Sequence, residues 1–369
     1  MAITSLLLAL AALVPRPPEP VLDDIGAELR SQCSAGRFSG TVIVLQGNKK
    51  LLDIRCQPPG SPQIMADTRF KLFSMSKMFT GAAIARLIER DQVDPNAKIS
   101  LYLKHLPSSW REVRVSHLLT HTSGIPDLTN DLLAEFKKGK TTHQVVIDRV
   151  LADAERNNPP LASEPGTKFA YNNFGYELLA RVGQAATGKP FDRVLEQLVL
   201  RPAGMRDTVV AKPRLVKGRL DGSQAVARLV QGYNGTAGKL EPAESYSFVQ
   251  LGAGAVIGTA SDLESWSHAL KTGAVLSPAL QARMASEAFK VSETVAYGYG
   301  LMYRKSGGCT VLQHSGGTNG FNNDFAYLPQ RDATVLVLSN FGFFEAEKLR
   351  KRLVDSITAA RPCASAPAS

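Results

Sequence analysis

The sequence predicts an α/β (α+β) fold. An antiparallel sheet built from the N- and C-terminal segments is flanked by helices, with an all-helical lobe inserted between those segments. Three observations carry that expectation. Short β-rich runs occur at 41–45 and 51–56 and return at 297–303, 309–314, 324–328 and 334–339. Between about 95 and 250 the apolar spacing is helical and is interrupted by long polar loops. No internal repeat divides the chain, so one sheet and one cleft between two lobes account for the pattern.

The elements follow in order. Residues 1–14 form a short apolar run with a small-residue site at Ala9-Leu10-Ala11, followed by Pro15-Arg16-Pro17-Pro18. This predicts a secretory leader and export, periplasmic or secreted, although no Lys or Arg precedes the apolar core. Residues 21–34 predict an amphipathic helix closed by Gly36, and Gln46-Gly47-Asn48-Lys49 predicts a hairpin turn between the first two strands. Helices are expected at 75–90, 142–154, 174–186, 191–200, 261–270 and 344–360, with a tail over 363–369. One domain over 20–362 results, its sheet lobe at about 20–73 and 255–362 and its helical lobe at about 75–250.

The 369 residues are 44% hydrophobic and carry a formal net charge of +10. Basic clusters stand at Lys49-Lys50, Lys137-Lys138-Gly139-Lys140 and Lys348 to Arg352. No aromatic residues interleave them, so they read as solvated faces rather than a nucleic-acid surface. Cys33, Cys56, Cys309 and Cys363 form no C-x-x-C pair and have no zinc-finger spacing. In an exported chain they permit disulfides, of which Cys33–Cys56 is the local option among three possible pairings.

Three polar motifs carry chemistry. Ser74-Met75-Ser76-Lys77 opens the helix expected at 75–90 and puts a hydroxyl and an amine at i and i+3, on one face. A neighbouring amine can activate a serine hydroxyl that is otherwise a poor nucleophile. Ser76 is adjacent to Lys77 and faces away. Tyr171-Asn172-Asn173 follows a Pro-Gly turn. Its phenol can act as a base if cations lower its pKa, and Asn173 can bond Lys77 or a substrate carbonyl, or simply cap the next helix. His314-Ser315-Gly316-Gly317 ends a strand, with His314 and Gly316 on one side of it, where Gly316 would admit a substrate backbone.

Other patterns are weaker. His117 and His121 are spaced i, i+4, which could hold a metal on a helix, but no metal is expected there. Gly252-Ala253-Gly254 followed by Gly258 misses the dinucleotide fingerprint by one position. No G-x-S-x-G elbow occurs.

Taken together and in order, S-x-x-K, Y-x-N and H-x-G resemble the serine β-lactamase and penicillin-binding superfamily, and within it the class C β-lactamase-like hydrolases. The stretches Arg114 to Pro126, Glu164 to Tyr176 and Gly254 to Leu263 sharpen the resemblance, which covers roughly residues 22 to 345. It implies a β-lactamase/transpeptidase-like fold and a serine hydrolase that forms an acyl-enzyme from small esters or amides: a carboxylesterase, a peptidase for D-Ala-D-Ala or D-amino peptides, or a β-lactamase. It implies Ser74 as nucleophile, Lys77 as the local positive charge and proton shuttle, and Tyr171 as the base. It also implies substrate binding by Asn173, His314, Gly316 and Gly317, with the backbone N–H groups of Ser74 and Gly317 as oxyanion donors.

The implied partners are a small-molecule or short-peptide substrate and possible cell-wall fragments, with no nucleic acid, no cofactor and no metal. Many β-lactamases carry Lys at the position of His314, so a cationic His314 gripping a substrate carboxylate would tie activity to its own titration. The alternative is a catalytically idle penicillin- or peptidoglycan-binding protein.

Overall fold

The computed structural model describes residues 19–139, 142–212, 214–216, 219–221, 226–244, 249–360 and 362–363. The expected leader over 1–14 and the tail from 364 onward lie outside the described residues.

The hairpin Gly40–Gln46 and Lys49–Cys56 forms one edge of an eight-stranded antiparallel sheet. Its other six strands all come from the C-terminal third: Phe289–Ser292, Val295–Gly298, Leu301–Ser306, Cys309–Thr318, Phe321–Leu328 and Ala333–Ser339. The two chain ends meet where Gly40–Gln46 pairs with Ala333–Ser339, Val42 facing Val337. Both strands are buried along almost their whole length, as their near-continuous apolar runs require.

Strand alternation divides this sheet into two packed faces. Val42, Val44, Val335 and Val337 pack against Leu22, Ile25 and Leu29 of the helix Glu19–Ser34 and Leu353 and Ile357 of the helix Ala346–Ala360. Ile43, Leu336, Leu338 and Phe325 pack on the opposite side, into the larger core built around the helix Ser76–Glu89. A buried pair, Arg350 Nε to Asp324 Oδ1 at 3.3 Å, ties the C-terminal helix to the sheet. Two disulfides tie the helix Glu19–Ser34 to the edge strand Lys49–Cys56 (Cys33–Cys56) and Cys363, beyond the helix Ala346–Ala360, to the strand Cys309–Thr318 (Cys309–Cys363).

The inserted region is not all-helical as expected: beside the helices Thr129–Lys137, His143–Asn157 and Asn173–Thr187 it holds a small hairpin, Tyr233–Thr236 with Lys239–Pro242, where Gly235 and Gly238 at positive φ turn the chain back on itself. A three-stranded sheet joins Arg69–Lys71, Val256–Thr259 and Val209–Val210. It delivers the chain directly into the Ser74 turn.

One expected strand is two. The run at 297–303 breaks at Tyr299-Gly300, both at positive φ (56° and 75°). The turn presses on the Ser76–Glu89 helix so closely that a Cβ on Gly300 would lie 1.9 Å from the Lys77 carbonyl oxygen. Close backbone approach, which apolar periodicity does not encode, decides that break.

Candidate active site

Ser74 sits in a single 3-10 turn, Phe73–Met75, between the strand Arg69–Lys71 and the helix Ser76–Glu89. Phe73 has a φ of 48°, a conformation that bulky residues rarely hold unless the surroundings impose it. Leu72 N–H is fixed on the Val256 carbonyl at 3.0 Å, and the Phe73 ring packs on Phe321. Ser74 is thereby turned into the cleft while its neighbours point into the core. Ser76 is fully buried, its Oγ accepting the Val256 N–H at 3.0 Å, so it takes no part at the cleft.

Lys77 is completely buried, one helical turn from Ser74. Its Nζ has three acceptors: Ser74 Oγ at 3.2 Å, Asn173 Oδ1 at 2.8 Å and the Ala253 carbonyl at 3.1 Å. Burial pulls its pKa down to about 7, against the opposing pull of Glu177 and Asp127. Near neutrality this amine exists in both protonation states, and in the neutral one the Ser74 hydroxyl can donate to it along the same contact.

Tyr171 brings the third group. It lies close enough to Ser74 for that side chain to temper its titration, and the Lys77 Nζ stands 4.8 Å from its ring centroid. Burial of the hydroxyl end pushes its pKa above that of an ordinary phenol, an effect tempered because 43% of the residue remains open. The expectation that cations would lower it enough to make it a resting base is corrected: desolvation, reinforced by Asp127, outweighs the opposing influence of Ser74, and Tyr171 rests as a neutral phenol. Its backbone is held by the segment 121–127. Ala170 N–H donates to the His121 carbonyl at 2.8 Å, Asn172 N–H donates to His121 Nδ1 at 3.1 Å, and the His121 ring lies against the Tyr171 ring at 4.4 Å.

Asn173 binds Lys77 through Oδ1 and turns its Nδ2 toward Asp127 Oδ2 at 3.4 Å. The helix cap is not Asn173 but Asn172, whose Oδ1 accepts the Gly175 N–H at 2.8 Å. That one-residue difference frees the Asn173 side chain for the cleft.

His314 lies on the strand Cys309–Thr318, 6.3 Å ring to ring from Tyr171. It is only 6% exposed, and burial together with Lys77 pushes its pKa down to about 3. Its Nδ1–H donates to the Ser315 carbonyl at 2.6 Å and Nε2 accepts from the Tyr297 hydroxyl at 3.1 Å. The expected cationic grip on a carboxylate is corrected: a desolvated imidazole with both nitrogens engaged stays neutral.

Gly316 also differs from expectation. A Cβ there would lie 2.1 Å from the Leu72 carbonyl oxygen, 2.8 Å from Met75 N and 3.1 Å from Ser74 N. The space is filled by the nucleophile's own turn, not left for a substrate. Gly317 follows on the strand, where pairing with Leu301–Ser306 has ended at Met302–Gln313. Beyond it opens a cavity of about 750 Å³ lined by Ser315, Gly317, Thr318, Asn234 and Lys348.

The three motifs thus converge. Asp127, Ala253, Glu177 and Tyr297 join them without having been singled out from sequence. Asp127 stands one residue past a quoted stretch, and the backbone role of Ala253 leaves no side-chain signal. The near-fingerprint around Gly252 is the turn that receives Lys77. His117 and His121 do not converge. His117 Nδ1 accepts the Arg114 N–H at 3.2 Å, whereas His121 is buried among Phe169, Tyr171, Tyr176 and Tyr297.

A family model described as Beta-lactamase matches residues 23–359. Penicillin-binding protein 4* of Bacillus subtilis (strain 168) is 27% identical over 315 residues, covering 82% of this chain and 68% of that protein. D-alanyl-D-alanine-carboxypeptidase/endopeptidase AmpH of Escherichia coli (strain K12) is 23% identical over 330 residues, covering 82% and 80%. The crystal structure of a penicillin binding protein from Bacillus halodurans shares the fold with a TM-score of 0.70 at 21% identity, covering 89% of this chain and 98% of that one.

Proposed function

This chain belongs to the Beta-lactamase family, and we propose that it is a serine hydrolase that cleaves small esters or amides through an acyl-enzyme on Ser74. The observation that carries the reading is the buried Lys77 Nζ, 3.2 Å from Ser74 Oγ, with the Tyr171 ring 4.8 Å from the same Nζ.

Neutral Lys77 accepts the Ser74 proton as Oγ attacks the substrate carbonyl carbon. The oxyanion that forms is taken by the N–H groups of Ser74 and Gly317, an arrangement worth about 2.7–4 kcal/mol per donor. The neutral Tyr171 phenol gives its proton to the leaving group and recovers one from the Lys77 ammonium. The same groups run in reverse for water: Tyr171 passes the proton of the attacking water to Lys77, the acyl ester breaks, and Ser74 regains its hydrogen. Asn173 holds the amine in line through its 2.8 Å contact.

A buried neutral His314 supplies no positive charge, which favours uncharged acyl groups over substrates gripped by a carboxylate at that position. Small esters, and peptides of the D-alanyl-D-alanine kind that the AmpH name describes, are the substrate classes to test first. Two disulfides favour an oxidising compartment and therefore export. No helix among the described residues is long and apolar enough to cross a membrane.

The test is a panel of p-nitrophenyl acyl esters, nitrocefin, D-Ala-D-Ala peptides and D-aminoacyl anilides, with the Ser74→Ala variant and a fluorophosphonate label alongside. Turnover and labelling that both vanish in Ser74→Ala support the reading. Labelling that persists in the variant sinks it, and a product burst without steady turnover marks an idle binding protein instead.

A further inference from the structure

Glu177 lies on the helix Asn173–Thr187, one turn beyond Asn173, and is completely buried. One of its oxygens, Oε1, accepts two backbone amides, Gly252 N–H at 3.0 Å and Ala253 N–H at 2.9 Å. The other oxygen, Oε2, is buried without a hydrogen-bond partner. A buried carboxyl is costly to keep unless it does something for its surroundings.

The turn it holds is the one Lys77 uses. Ala253 donates its N–H to Glu177 and accepts from Lys77 Nζ through its carbonyl at 3.1 Å, so one residue bridges carboxyl and amine. The neighbouring Gly252 carbonyl accepts from Thr80 Oγ1 at 2.7 Å. Gly252 is pressed against the Glu177 helix, a Cβ there falling 2.1 Å from the Tyr176 carbonyl oxygen. The turn is therefore clamped from the Lys77 helix on one side and from the Glu177 helix on the other.

We propose that Glu177 is a positioning residue for Lys77: it clamps the Gly252-Ala253 amides so that the Ala253 carbonyl meets the amine, and it is the buried counter-charge of the lysine. The inference rests on the function proposed above.

The other titratable groups facing Lys77 are Asp127 from the loop before the helix Thr129–Lys137, Tyr171 and Tyr176 flanking Asn173, His121, and His314 on the strand Cys309–Thr318. The two histidines are held neutral by burial and by Lys77 itself. Asp127 supports it from the exposed rim. Of the two carboxyls that act on Lys77, Glu177 is the one that does so from inside the protein, pushed up by burial and held down by the backbone amides of the 251–253 turn and by Lys77. Carboxyl and amine therefore titrate as a pair.

The test uses the full chain with Glu177→Gln and Glu177→Ala. Gln keeps the oxygen that accepts both amides and removes the charge; Ala removes both. The readout is kcat/KM for an uncharged p-nitrophenyl ester from pH 5 to 9. Without the counter-charge the Lys77 ammonium is less stable, so the acid limb of Glu177→Gln moves to lower pH by roughly one unit. In Glu177→Ala kcat falls further, by roughly tenfold or more, with KM little changed, because the amine loses its alignment. A Glu177→Gln limb that coincides with the wild type overturns the proposal.

A thermal-denaturation cycle of Glu177→Gln with Lys77→Met reads the same coupling without activity. Non-additive shifts in Tm support the proposal, and additive shifts overturn it even if the wild type turns over none of the esters. An inactive, unlabelled wild type with a non-additive cycle would instead refute the hydrolase reading and leave the Glu177–Lys77 coupling standing.

Discussion

The imidazole of His314 accepts from the Tyr297 hydroxyl at 3.1 Å through Nε2, while its Nδ1–H is committed to the Ser315 carbonyl at 2.6 Å. Both nitrogens are therefore occupied inside the protein, and burial with Lys77 nearby holds the pKa at about 3. The group stays neutral throughout the range in which the enzyme would work.

This sets the sign of the pH dependence. If Lys77 is the proton acceptor, it must be neutral, so kcat/KM for an uncharged ester rises with pH through about 7 and falls below it. A cationic His314 would give the opposite slope with a carboxylate-bearing substrate, activity declining as pH rises. A profile from pH 5 to 9 distinguishes the two, and a descending limb near pH 6.5 would refute the assignment to Lys77.

Lys77→Ala removes the acceptor and leaves Ser74 with no amine. Turnover of an activated ester should drop by about 10²–10⁴-fold. Burst-phase kinetics locate the loss in acylation; an unchanged burst rate would show that the amine is dispensable for it.

Gly316→Ala puts a methyl group 2.1 Å from the Leu72 carbonyl oxygen and 3.1 Å from Ser74 N. Those neighbours are backbone and cannot swing away, so the nucleophile turn must shift. We expect a lower Tm and a fall in kcat of about 10²-fold or more, since an oxyanion donor moves with the turn. Unaltered kcat would mean that the turn tolerates displacement.

Ser76→Ala separates the two serines. Ser76 accepts the buried Val256 N–H, so its loss strands a donor and costs about 1–3 kcal/mol of stability, read as a lower denaturation midpoint. Fluorophosphonate labelling should survive, in contrast to Ser74→Ala.

Reduction of the two disulfides should lower stability by about 3–4 kcal/mol each, given closed loops of 23 and 54 residues. The measurement is a denaturant titration with and without reductant. Coincident curves would show that the bridges contribute little beyond the packing around them.

Much of the site was legible because its motifs are local. Ser74 and Lys77 share a helix face by spacing alone, and His314 and Gly316 share a strand face by alternation. The break at Tyr299-Gly300 and the partnering of Gly316 with the Ser74 turn were not legible, because each is a contact between backbones distant in sequence. Glu177 looked like any helical glutamate, since nothing local announces that its carboxyl will be buried against Ala253.

By itself the sequence determined the family, the sheet drawn from both ends of the chain, and the identity of the groups able to do chemistry. Those follow from residue type and from short-range periodicity. Only the tertiary structure decided their electrical state: an amine with a pKa near 7, a phenol at rest, a neutral imidazole. Protonation depends on how much water is removed and which charges remain close, and packing sets both through contacts such as Lys77 with Asn173, 96 residues apart.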